Sequence, residues 1–235
     1  MAANFYVAPE QLMKDRAEYA RKGIARGRAL VAVAFAHGVV FAGENPSASL
    51  HKTSEIYDSI GFAAVGRYNE FEALRVAGIR LADVKGYQYA REDVTAKPLA
   101  NAYSQALGTS FMGETKPFEV ELLIAQVGDG RVREADPSDP QLELFHILYD
   151  GSIVDEHRFV AIGGETEPLT RELESRWSHG LARDEAVRTA VGALTAVSDR
   201  TITADVLEVS GLDADLPRRR FFRLGTDELR GVLED

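Results

Sequence analysis

Over residues 9–26 the apolar positions Met13, Ala17, Ala20 and Ile24 recur at spacings of four, three and four, which puts them on one face of a helix. Pro9 suits the first turn of that helix, where its missing N–H removes no intrahelical bond. Glu10 near the start and Arg21, Lys22 and Arg26 near the end complement the helix dipole. The stripe is modest and the helix precedes every strand, so it is expected outside the main body, against a neighbouring chain.

The pattern then changes. Residues 29–36 and 39–43 are nearly continuous in apolar side chains and flank His37-Gly38, which predicts a hairpin covered on both faces. After a polar loop over 44–53, short strands are expected near Ile56 and Tyr57 and over 60–65. Two helices follow. In the first, Asn69 and Glu72 have capping-box spacing, with Phe71, Leu74, Leu81 and Val84 as the apolar stripe. In the second, begun near Pro98, Leu99, Tyr103, Leu107 and Phe111 recur every four residues. Strands are expected over 118–127, 142–149 and 158–162, with an exposed loop over 128–141 and a turn at Asp150-Gly151. Thr166 and Pro168 open a further helix with Leu169, Leu173 and Trp177 inward, and Val187, Val191 and Leu194 line the next. Strands near 204–209 and 221–224 precede a last helix opened by Thr226, with Asp227 and Glu228 in its first turn.

Short turns between paired strands imply largely antiparallel sheets, and helix pairs between them must cover sheet faces. Regular β-α-β alternation is missing, which argues against a doubly wound nucleotide fold. The expected fold is therefore mixed α/β, with two mainly antiparallel sheets packed face to face and each covered outside by helices. Residues 9–235 are expected to form one domain.

Charge and composition narrow the function. A net charge of −10 over 235 residues opposes general nucleic-acid binding and docking on anionic membranes. With no cysteine, disulfides, thiolate metal sites and cysteine nucleophiles are excluded. The first residues lack a basic leader, and the longest apolar run, 29–36, is far too short to span a bilayer. A cytoplasmic location is expected.

The chain contains neither a Gly-x-Ser-x-Gly elbow nor a phosphate loop. His37, His51, His146, His157 and His179 are scattered without metal-pair spacing, so no metal or cofactor is expected. Gly163-Gly164, between a strand and a helix, reads as a tight turn, because Glu165 would repel a bound anion. Arg218, Arg219 and Arg220 read as a solvated edge or an intersubunit ion-pair patch. Glu134, Asp136 and Asp139 lack calcium-loop spacing and read as a solvated loop.

Several stretches resemble a known family. Pro9-Glu10-Gln11-Leu12-Met13-Lys14-Asp15-Arg16, Glu44-Asn45-Pro46-Ser47, Ser54-Glu55-Ile56-Tyr57-Asp58, Val65-Gly66-Arg67-Tyr68-Asn69-Glu70-Phe71, Lys116-Pro117-Phe118-Glu119-Val120-Glu121-Leu122 and Tyr149-Asp150-Gly151-Ser152-Ile153 are similar to segments of actinobacterial proteasome α subunits, in the same order. The resemblance implies the N-terminal nucleophile hydrolase fold, a four-layer α/β/β/α sandwich. It also implies a non-catalytic subunit. Catalytic siblings expose an N-terminal threonine at the entrance to the first strand, its own amine acting as base. Here the entrance reads Gly27-Arg28-Ala29, and arginine cannot be that nucleophile.

Further implications come from the family alone. The chain would form heptameric rings with copies of itself, cap rings of catalytic β subunits and receive a ring-shaped AAA ATPase activator. The helix over 9–26 would make ring contacts. Residues 1–8 would form a gate tail carrying Phe5, Tyr6 and Val7. Lys52 would pair with the activator's C-terminal carboxylate in a docking pocket, with Gly66 nearby on the next strand. Two other readings stay open: an active peptidase or amidase of this fold with a processed N-terminus, and a small-molecule α/β enzyme with its site at Gly163-Gly164.

Overall fold

A computed structural model describes residues 8–128 and 142–234. Phe5, Tyr6 and Val7, and the acidic positions Glu134, Asp136 and Asp139, lie outside the described residues. The chain runs α1 (Pro9–Ala25), β1 (Leu30–Phe35), β2 (Gly38–Glu44), β3 (Thr53–Tyr57), β4 (Ile60–Gly66), α2 (Tyr68–Gln88), α3 (Ala96–Gly113), β5 (Val120–Val127) and β6 (Leu142–Ile147). It continues with β7 (Ile153–Glu156), β8 (Phe159–Ile162), α4 (Thr166–Arg176), α5 (Arg183–Val197), β9 (Leu207–Asp213), β10 (Phe221–Arg223) and α6 (Thr226–Glu234).

Among the described residues two five-stranded sheets result, ordered β10-β9-β2-β1-β8 and β3-β4-β5-β6-β7. Each strand pairing is antiparallel, as the short turns require. The continuous apolar runs are explained by burial on both faces. Along β1, Leu30 and Ala32 face the space between the sheets, while Val31 and Val33 face outward into a helix layer. Along β5, Leu123 and Ala125 face inward, while Leu122 and Ile124 meet the opposite helix layer. Leu169 and Leu173 of α4, Val187 and Leu194 of α5 and Leu229 of α6 cover the first sheet. Phe71 and Leu74 of α2 and Leu99, Tyr103 and Leu107 of α3 cover the second. The four-layer sandwich follows directly.

Helix α1 differs from the expectation in part. Ala20 and Ile24 are buried, and Met13 and Ala17 pack beside them, against the core between the two sheets. The stripe thus closes one end of this chain's own sandwich. Leu12 and Tyr19 stay exposed on the same helix.

Other differences have local causes. Asn69 does not cap α2: Arg67, with extended backbone, holds that position, and the Glu72 carboxylate binds Arg75 instead. The inward face of α2 is Phe71, Leu74, Gly78 and Ala82. Leu81 and Val84 point outward, 43% and 53% exposed, because Gly78 and Ala82 let the helix lie close to its neighbours. Tyr103 shows how close: its hydroxyl fills the place a Gly78 side chain would take. Strand β7 escaped the periodicity, since Ile153-Val154-Asp155 is exposed on a sheet edge. Residues Ala204–Val206 form a 3-10 turn, and the strand begins only at Leu207. Trp177 lies just beyond α4, where its indole N–H donates to Ala34 O at 3.0 Å.

Candidate functional site

The site expected at the entrance to β1 lies where α1 runs into the first strand. Gly27 N–H donates to Ile24 O at 2.9 Å and ends the helical turn. Arg28 and Ala29 then lead into β1. The Arg28 guanidinium donates to Glu44 Oε1 at 2.6 Å, and Arg200 reaches the other oxygen of Glu44 at 3.1 Å. Arg28 is thus an internal residue of a continuous backbone, and it presents a paired cation at the strand entrance.

Lys52 immediately precedes β3, and its carbonyl accepts from Ala64 N–H at 2.9 Å. Gly66 ends β4 two residues farther along, so both predicted pocket residues border the same end of the sandwich. The Lys52 ammonium turns toward the strand entrance and donates to Arg28 O at 2.8 Å. Burial is the main cause that pulls its pKa down to about 8; Arg28 adds to the fall, and the carboxylates of Glu208 and Glu44 oppose it. The result is a partly desolvated cation whose partner in this chain is a neutral carbonyl.

A residue that sequence reasoning missed organises the loop beside it. Glu208, on β9 of the opposite sheet, has a side chain 6% exposed. Its Oε2 accepts from Asn45 Nδ2 at 2.6 Å and from Lys52 N–H at 3.0 Å. Its Oε1 accepts from Thr53 N–H at 3.1 Å, Thr53 Oγ1 at 2.6 Å and Arg223 at 2.6 Å. Burial alone would raise its pKa, but these donors together hold it below the ordinary carboxylate value. Arg223 also donates to Thr53 O at 2.7 Å, and Ser210 donates to Thr53 Oγ1 at 2.8 Å. His51 Nδ1 stands 3.6 Å from Glu208. The Thr53 hydroxyl is therefore a structural link, 1% exposed and closed to any substrate. A lone glutamate in Leu207-Glu208-Val209-Ser210 gave no signal, because its partners Asn45, Lys52 and Thr53 lie more than 150 residues earlier in the chain.

Gly66 has φ of +110°, and a Cβ there would stand 1.9 Å from Glu119 O. Only glycine lets β4 turn this sharply beside the pairing of Arg67 N–H with Glu119 O at 3.0 Å. The turn at Gly163-Gly164 has positive φ at both residues. It packs against the Val65 side chain and Ala29, as expected of a tight turn.

The remaining candidates lie elsewhere. Arg219 pairs with Glu55, and Arg91 with Asp58, on one exposed edge. His37, His51 and His146 each approach a different carboxylate, and among the described residues no group of three His, Cys, Asp or Glu is gathered for a metal. Among those residues no helix is long and apolar enough to cross a membrane.

Residues 24–211 match the proteasome subunit family. The chain is 53% identical to the proteasome subunit alpha of Kineococcus radiotolerans, over 99% of this chain and 98% of that one. It is 55% identical to the subunit alpha of Xylanimonas cellulosilytica, covering 95% and 93%. With that of Streptomyces coelicolor the identity is 52%, covering 100% and 91%. Fold and these similarities agree: the chain belongs to the proteasome subunit family and is an α-type member of it.

Proposed function

We propose that this chain is a non-catalytic ring subunit of a proteasome core, which assembles into heptameric outer rings on catalytic β rings. The observation that carries the reading is Arg28. It fills the strand entrance where a catalytic sibling exposes an N-terminal threonine, within a backbone that continues unbroken from α1. The Arg28 side chain carries neither a hydroxyl nor a thiol with which to attack a peptide carbonyl. The work left to the subunit is assembly, gating and reception of an activator.

In this reading the end of the sandwich bearing Lys52 and Gly66 lines the pocket that receives the C-terminal tail of a ring-shaped ATPase. A terminal carboxylate replaces the Arg28 carbonyl as partner of the Lys52 ammonium. The pairing of an under-partnered cation with a carboxylate is stronger than its bond to a neutral oxygen. Residues 9–235 act as one unit, α1 adds ring contacts through its exposed Leu12 and Tyr19, and residues 1–8, with Phe5, Tyr6 and Val7, form the axial gate. The particle works on proteins in the cytoplasm.

The test is reconstitution with the β subunit and the activator ATPase from the same cell. Lys52→Ala should assemble normally and lose ATPase-stimulated protein degradation. Unchanged stimulation would remove Lys52 from the docking role, and failure to assemble with β would remove the ring role.

A further inference from the structure

We propose that Glu208 is the positioning residue of the docking pocket, setting the place and charge of Lys52 from the opposite sheet. The proposal rests on the reading of Lys52 as the receptor of a terminal carboxylate. Glu208 itself lies behind the loop, 6% exposed, and does not touch the tail.

The geometry carries the assignment. Lys52 sits in an irregular loop between β2 and β3, and a loop lysine has a long, flexible stem. Here its backbone is fixed on both sides. Glu208 grips the N–H groups of Lys52 and Thr53 with separate oxygens, at 3.0 and 3.1 Å. Asn45 extends the grip by donating through one nitrogen to Glu208, at 2.6 Å, and to Leu50 O, at 2.7 Å. Five donors meet on this one buried carboxylate, and three of them come from Lys52 and the residue that follows it, Thr53.

The charge acts as well. The groups facing Lys52 are Arg28 at the entrance to β1, Glu44 at the end of β2 and Glu208 on β9. Arg28 is matched with Glu44 at 2.6 Å, and Glu44 is shared with Arg200. Glu208 is in turn faced by Arg223 on β10 and by His51. Its negative charge opposes the loss of the Lys52 proton in a half-buried setting. Without it, burial and Arg28 would take the ammonium toward its neutral form at a lower pH, and a carboxylate ligand would find an amine.

The experiment uses the assembled particle and a fluorescent peptide bearing the last residues of the ATPase that copurifies with it, as free acid and as C-terminal amide. Binding is followed from pH 6.5 to 9.5 for the parent, Glu208→Gln and Lys52→Ala, all in a His51→Gln background that removes the imidazole beside Glu208. Glu208→Gln should weaken the free acid by roughly tenfold and move the alkaline fall in its binding to lower pH, leaving the amide unchanged. A purely structural role would weaken binding at every pH without moving that fall, and would overturn the proposal. So would binding of Glu208→Gln equal to the parent's. If the parent does not distinguish acid from amide and Lys52→Ala binds equally well, the docking reading fails first and takes this one with it. Should Glu208→Gln not assemble, Asn45→Ala keeps the carboxylate and frees the loop. It should weaken the free acid with the alkaline fall unmoved, and unchanged binding there would contradict the positioning role.

Discussion

Lys52 Nζ lies 2.8 Å from the carbonyl oxygen of Arg28, so the loop before β3 touches the entrance to β1 through a cation and a neutral acceptor. A desolvated ammonium bound this way is poorly compensated. The contact joins the two residues on which the proposed function depends, Arg28 at the strand entrance and Lys52 in the loop before β3.

Replacing Lys52 by alanine should remove one charge-assisted hydrogen bond to an incoming carboxylate. Such bonds are worth about 1.5–3 kcal/mol, so tail-peptide affinity should fall roughly tenfold to a hundredfold. Titration of free-acid peptide into assembled particle measures this. Lys52→Arg should not restore full affinity, because a planar fork cannot occupy the point position of the ammonium.

Lys52 also sets a pH dependence. Its folded pKa is depressed from 10.5 to about 8, so below about pH 8 it is charged and able to pair with a carboxylate. Docking should weaken as pH rises through that value, and binding on that falling limb should take up protons from buffer. The effect on folding has the opposite sense. Between about pH 8 and 10.5 the unfolded chain binds the extra proton, so this group's contribution to stability rises with pH there. Calorimetry in buffers of different ionisation enthalpy detects the proton uptake, and Lys52→Met should abolish it.

Gly66→Ala should be severely destabilising. The substitution strains a backbone at φ of +110° and drives a Cβ to 1.9 Å from Glu119 O. Strain of this type alone costs about 1–3 kcal/mol, and the overlap adds to it. A melting temperature within a degree of the parent's would contradict the geometry.

Leu107→Ala tests the helix layer. Leu107 is fully buried among Leu99, Tyr103, Phe62 and Leu122, between α3 and the second sheet. The truncation should destabilise the chain by about 2–5 kcal/mol, read by denaturant unfolding, without altering the affinity of assembled particle for tail peptide.

The sandwich was legible because its strands are apolar on both faces, and such runs have few other homes than between a sheet partner and a helix layer. Leu99, Tyr103, Leu107 and Phe111 marked α3 for the same reason: burial follows spacing when one face is all large side chains. Helix α2 was misread where small residues took the inward positions. Gly78 and Ala82 carry little hydrophobic signal, while Leu81 and Val84 carry much and face out. Strand β7 was missed because an edge strand with exposed residues needs no alternation. Lys52 came from resemblance, since a loop lysine is ordinarily a solvated charge. Glu208 had no route from sequence: its meaning lies in donors from Asn45, Lys52 and Thr53, brought to it only when β9 crosses over the start of β3.

The most direct measurement is the native mass of this chain produced together with its β partner, with the N-terminus of each subunit determined. The account predicts one large particle of stacked heptameric rings, in which the partner begins with threonine and this chain still carries α1 ahead of Arg28. A monomer or dimer in the presence of the β chain, or this chain cleaved to begin at Arg28, would contradict it.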